Sequence, residues 1–151
     1  MDNIHNFQNQ EKLEEKVIQV NRVSKKTKGG NKMRFTALVV VGNKNGKVGV
    51  GLGKSADVSS AIIKAAIYAK KRMINVLIVK DTIAFPVVVK EGAAQILLKP
   101  APPGTGIIAG GAVRAVVEAA GIKNISSKIL GTNNKASNVH ATLKALEKLA
   151  K

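Results

Sequence analysis

The sequence predicts an α+β protein in two units, a β-β-β-α unit followed by an α/β unit of order β-β-α-β-α. Three observations carry that prediction. Short segments rich in Val and Ile alternate in polarity and are separated by Gly, Asn and Pro turns, the pattern of antiparallel strands. Three other stretches, residues 56–73, 112–120 and 138–149, repeat their apolar residues at helical spacing. Finally, the first helical stretch follows three strands, whereas the later two are interleaved with strands. The division falls near residue 75, giving units 11–75 and 76–151.

In the first unit, Lys16–Ser24 reads as a strand and Lys25–Lys32 (KKTKGGNK), which has no apolar residue, as a loop. Arg34–Val41 is a second strand with Phe35, Ala37, Val39 and Val41 on one face. Asn43–Gly46 is a tight turn, because Asn and Gly tolerate the positive φ that hairpins need. Lys47–Gly53 returns as a strand whose alternate positions are glycine. Ser55 is placed to cap a helix running from about Ala56 to Met73, with Val58, Ile62, Ala65, Ala69 and Met73 as its inward face. Asp57 in the first turn and Lys70, Lys71 and Arg72 in the last complement the helix dipole.

In the second unit, Thr82–Val89 and Ala94–Lys99 read as strands joined at Lys90-Glu91-Gly92. A Pro- and Gly-rich loop, Pro100–Gly111, leads to a helix from Ala112 to Ala120, which Gly121 ends. Asn124–Leu130 is a strand. Asn138–Leu149 is a last helix with Val139, Leu143, Leu146 and Leu149 inward.

Charge separates the candidate functions. The chain has 25 Lys and Arg against 9 Asp and Glu, a net charge of +16. Such an excess repels itself in a compact state and marks a polyanionic partner, nucleic acid first. Between Lys16 and Lys80 there are fifteen basic residues and one acid, Asp57, so the polyanion-facing surface belongs to the first unit. Aromatics are only 3% of residues, which excludes base stacking as the main mode of recognition. There is no cysteine, so disulfides, thiolate metal sites and a cysteine nucleophile are excluded. No apolar run is long enough to span a bilayer, and none reads as a basic membrane-surface helix. The amino-terminal segment, with Asp2, Glu11, Glu14 and Glu15, does not read as a secretory or organelle-targeting signal, and a cytoplasmic protein is expected.

Two glycine motifs invite a nucleotide-binding reading and fail it. In KVGVGLGKS the first glycine of a phosphate-binding P-loop would have to stand at Val48. Gly51, Gly53 and Ala56 fit the loose dinucleotide pattern, but no acidic residue follows about twenty residues later to hold a ribose. These glycines instead suit close backbone approach, to a helix or to RNA. Gly104, Gly106 and Ala109 repeat the loose pattern ahead of a helix, yet Gly110-Gly111-Ala112-Val113 offers no Lys, Ser or Thr to clamp a phosphate. The two histidines, His5 and His140, lie in different units, and His140 has no carboxylate at catalytic spacing. No cofactor, metal or small-molecule substrate is therefore expected, and the chain does not read as an enzyme. The candidate contact is the segment around Lys25, Lys26, Lys28, Lys32 and Arg34, whose Gly29 and Gly30 allow a thin projection.

These segments together resemble one family. NRVSKKTKGG, FTALVVVGNKNGKVGVGLGKS, RMINV and GTGIIAGGAVRAVVEAAGIKNI are similar, in order, to the bacterial-type small-subunit ribosomal protein S-five family, over about Leu13 to Leu146. The resemblance implies an N-terminal double-stranded-RNA-binding-domain-like module, a C-terminal α/β module, and binding to small-subunit ribosomal RNA in support of subunit assembly and decoding accuracy. It implies that Arg22, Ser24, Lys25, Lys26, Lys28, Gly29, Gly30, Lys32 and Arg34, with Lys44, Lys47 and Lys54, face RNA. It also implies that Gly104, Thr105, Gly106 and Arg114 face the neighbouring ribosomal protein S-four, and that the C-terminal helices approach S-eight. Val50, Leu52 and His140 depart from residues common in relatives. Two other readings use the same features. A free-standing double-stranded-RNA-binding regulator would need only the basic surface. A small-molecule kinase, similar to the galactokinase–homoserine kinase type, would need an acid–base pair near Gly104 that the sequence does not supply.

Overall fold

The structure is a computed structural model and describes residues 13–149; His5, Asp2 and Glu11 lie outside the described residues. The chain order is β1 (Glu14–Thr27), β2 (Gly30–Gly42), β3 (Lys47–Ser55), α1 (Val58–Lys71), β4 (Ile74–Asn75), β5 (Val87–Glu91), β6 (Ala94–Pro100), β7 (Ile107–Ile108), α2 (Gly111–Ala120), β8 (Ile125–Ile129) and α3 (Lys135–Leu149). The α+β class and the order of the long elements agree with the sequence reading.

The first sheet is an antiparallel meander, β1-β2-β3-β4. Both faces of its centre are covered. Ala37, Val39 and Val41 of β2 pack with Ala61, Ala65, Ala66 and Ala69 of α1. On the opposite face Leu38, Val40, Val48 and Val50 join the main core, which continues through Val113, Val116, Val117, Leu146 and Leu149 of α2 and α3. The second sheet has the order β5-β6-β8-β7, antiparallel except for the β7–β8 pair.

Several sequence expectations are corrected. Lys25–Lys32 is not a loop, because β1 and β2 stay in register out to Thr27 and Gly30. Extended backbone bonds across to its partner whatever the side chains are, so a polar ribbon looks like a loop in sequence. The helix cap is Asp57, whose carboxylate accepts the Ser60 N–H at 2.8 Å, since β3 runs on through Ser55. The buried face of α1 is its alanine line, whereas Val58 is 38% exposed. The reason lies on β3: its face toward α1 is glycine, and helix and strand backbones meet so closely that only alanine fits between. Thr82–Val89 shortens to Val87–Glu91, because Pro86 has no N–H to donate and Lys80 and Asp81 turn the chain at φ 50° and 65°. The last helix begins at Lys135, three residues early, with Asn134 Oδ1 accepting the Ala136 N–H at 3.0 Å. Glu91 pairs with Lys144 at 2.6 Å on the surface.

The two units are joined through backbone. The Asn43–Gly46 turn lies against the C-terminal end of α2, where Lys44 and Gly46 donate their N–H groups to the carbonyls of Ala119 (3.0 Å) and Ala120 (2.9 Å). The carbonyls of a helix's last turn lack partners within the helix, so the turn satisfies them. Asn43 is 9% exposed and its Oδ1 accepts the N–H groups of Asn45 and Lys47, which fixes the turn from inside.

Candidate nucleic-acid interface

Beyond Phe35, whose partner on β3 is Ser55, the β1–β2 pair continues alone as a two-stranded ribbon. Its five further pairs, from Val23–Arg34 to Thr27–Gly30, carry it roughly 17 Å past the sheet. Glycine at positions 29 and 30 leaves the turn unobstructed, with nothing within 4 Å of a β-carbon placed at either. The Thr27 hydroxyl donates to the Gly30 carbonyl at 2.9 Å and closes the tip.

Register divides the basic residues between two surfaces. Arg22, Ser24, Lys26 and Met33 share one face, and Arg22 Nη2 lies 2.9 Å from Met33 Sδ. Val23, Lys32 and Arg34 share the other, while Lys25 stands opposite Lys32 in the pairing. Arg22, Lys26, Lys28, Lys32 and Arg34 are all exposed. No acidic residue occurs from Lys16 to Ala56, so the ribbon presents one sign of charge from both sides. Lys54 extends the second face, since its partner Thr36 lies two residues from Arg34.

Lys44 and Lys47 are not brought to this ribbon. They stand beyond the opposite end of the β2–β3 pair, whose strand runs roughly 27 Å from Arg34 to Gly42. Lys44 Nζ pairs with Glu14 at 3.0 Å, and Lys47 is paired in register with Asn75 of β4. Lys64 and Lys71 are not among the residues expected from the sequence to face RNA. With Tyr68 they stand four and three residues apart on α1 and line a groove with Lys54. The spacing i, i+4, i+7 was the signal available.

The second cluster lies where the units meet. Gly104 and Gly106 adopt φ of 90° and 77°, backbone that a side chain would strain. The Gly106 N–H donates to Asn124 Oδ1 at 3.0 Å, and Thr105 bonds back to the Pro102 carbonyl at 2.8 Å. Arg114 pairs with Glu118 at 3.0 Å, and Glu118 also meets Lys16 of β1 at 3.7 Å. These side chains, with Ile107 from the loop side, line a cleft of about 730 Å³. The pairs are exposed, so each contributes little to stability.

Among the described residues no three His, Asp or Glu side chains gather to hold a metal, and His140 is exposed. Among the same residues no helix is long and apolar enough to cross a membrane. A ribbon of one charge sign, held out from a rigidly packed sheet, suits contact with a polyanion, and the class this defines is an RNA-binding structural protein. Two family descriptions match: ribosomal protein S5, N-terminal domain, over residues 13–77, and its C-terminal domain over 89–151. The small ribosomal subunit protein uS5 of Thermotoga neapolitana is 52% identical over 139 residues, covering 92% of this chain and 78% of that protein. That of Campylobacter jejuni is 53% identical over 141 residues, covering 93% and 96%. The chain belongs to the ribosomal protein S5 family and is a structural protein, not an enzyme.

Proposed function

We propose that this chain is built into the small ribosomal subunit, in the cytoplasm, and grips small-subunit ribosomal RNA through the β1–β2 ribbon. The observation that carries the RNA-contact reading is the ribbon's geometry: four exposed cations on two faces and Lys28 at the tip, with no acid among them. Lysine and arginine there neutralise phosphates and release counterions, and a thin two-stranded ribbon reaches backbone that a flat surface would miss. Recognition is of A-form shape, phosphates and 2′-hydroxyls, because side chains do not read the deep, narrow groove of paired RNA. Assembly and decoding accuracy would be served by holding that RNA in one geometry.

Residues 11–75 and 76–151 divide the work in this reading, the first facing RNA and the second facing protein. The loop at Gly104–Gly106, exposed at Gly104 and Thr105, and Arg114, which lines a cleft with Ile107, support a protein contact there, with S-four as the neighbour and S-eight beside the C-terminal helices. The family membership does not favour a free-standing regulator.

Sedimentation of tagged chain from gently lysed cells tests the reading. Co-migration with the small subunit at low salt and release at high salt are expected. A chain that stays at the top of the gradient at low salt overturns stable membership.

A further inference from the structure

We propose that the groove between α1 and the free edge of β3 receives an unpaired nucleotide of the bound RNA, its base stacked on Tyr68 and its neighbouring phosphates held by Lys54, Lys64 and Lys71. This rests on the RNA-binding reading above and adds a site to it. The groove is about 590 Å³, within the roughly 300–1,000 Å³ typical of small-ligand pockets. One wall is apolar and open to solvent: Leu52, Ile67 and Tyr68 are 44%, 48% and 52% exposed. The remaining lining residues are the three lysines, with no acid among the described residues that line it.

An apolar, aromatic wall inside a ring of ammonium groups matches a base with its flanking phosphates. Unpaired bases in RNA are recognised by stacking on aromatic faces, and cations beside them follow the backbone. The groove also adjoins the ribbon. Lys54 faces the same way as Arg34 two positions along the neighbouring strand, and no acidic residue intervenes. An RNA gripped by the ribbon therefore continues onto the groove without crossing unfavourable charge.

The other occupant with a physical case is an acidic protein strand added to the edge of β3. β4 pairs only with Lys47 and Val48, so among the described residues no strand covers the edge beyond. Lys64 Nζ, however, reaches the Lys54 carbonyl at 3.4 Å and occupies an acceptor that an added strand would need. A lysine guarding an edge in this way opposes strand addition.

The chain contains one tyrosine and no tryptophan, so its intrinsic emission reports on Tyr68. The test uses the full chain, a fully paired RNA duplex of about 16 base pairs, and the same duplex with one bulged adenosine. The bulged RNA is expected to bind about five- to 150-fold tighter and to quench Tyr68 emission. Tyr68→Ala should reduce its affinity to that of the paired duplex and leave the paired duplex unchanged, whereas Tyr68→Phe should keep the preference. Equal binding of both RNAs, without quenching and without effect of Tyr68→Ala, overturns the groove proposal while the RNA reading stands. Binding of neither RNA overturns the RNA reading and the groove with it. Quenching by polyglutamate but not by bulged RNA overturns the nucleotide assignment in favour of a protein occupant.

Discussion

Gly51 lies directly against the backbone of Ala65: a β-carbon at Gly51 would fall inside contact distance of the Ala65 carbonyl oxygen. Gly49 stands in the same relation to Ala69 and Gly53 to Ala61. Two strand residues advance about 6.8 Å and four helix residues about 6 Å, so glycines spaced by two meet alanines spaced by four along the whole contact. Gly51→Ala should therefore force the helix off the sheet and cost about 1–3 kcal/mol. Urea unfolding followed by circular dichroism checks this, with a lower midpoint and an unchanged slope expected. Gly29→Ala, at the unobstructed ribbon tip, is the control and should leave the midpoint in place. Equal midpoints for all three proteins would refute the packing.

Asn43 holds the turn that joins the units. Removing its side-chain oxygen leaves the Asn45 and Lys47 amides without that acceptor in a part-buried place. Asn43→Ala should cost about 1–3 kcal/mol, and Asn43→Asp, which keeps the acceptor, should recover most of it. Hydrogen exchange adds a local readout, since the Lys44 and Gly46 amides that donate to Ala119 and Ala120 should lose protection in Asn43→Ala. Unchanged protection at both amides would show that the turn does not depend on Asn43.

Asp57 makes the start of α1 sensitive to acid. Hydrogen bonds from the Ser60 side chain, and then from its backbone N–H, hold the Asp57 carboxyl below the ordinary aspartate range. A folded value below the unfolded one means that its contribution is complete above the ordinary aspartate pKa and is lost as pH falls through the folded value. The window thus lies below about pH 4. Asp57→Asn retains a capping oxygen but does not titrate there, so its stability should fall less steeply than wild type from about pH 5 to pH 2.5. Parallel pH–stability curves would mean that Asp57 does not couple helix capping to pH.

The long elements were legible because their patterns are strong. Phe35, Ala37, Val39 and Val41 do face α1, and Val139, Leu146 and Leu149 are buried. What sequence missed has physical causes. β4 and β7 are two residues each, too short to show a period. On α1 the expected Ala65 and Ala69 are buried and Ile62 packs beside them, but Val58 is exposed and Ala61 and Ala66 complete the buried face, because the glycine strand opposite selects alanine. For the candidate interface, the charge run picked out the ribbon, but only strand register separates Arg22 and Lys26 from Lys32 and Arg34. Lys44 looked equivalent to these in sequence; its distance from them is set by the length of β2, and its backbone bonds are to a helix some 75 residues further along the chain.

The most direct test of the central claim is the salt dependence of binding to small-subunit ribosomal RNA, for wild type and for the triple variant Lys26→Ala, Lys32→Ala, Arg34→Ala. If about eight phosphates are contacted, log affinity should fall with log salt at a slope of about −5.6 to −7.2. The triple variant should flatten that slope by roughly 2 to 3, about one for each phosphate no longer neutralised. Arg114→Glu, on the opposite cluster, should leave the slope nearly unchanged. A triple variant with the wild-type slope, or an equally large flattening in Arg114→Glu, would contradict the account that the β1–β2 ribbon carries the RNA contact.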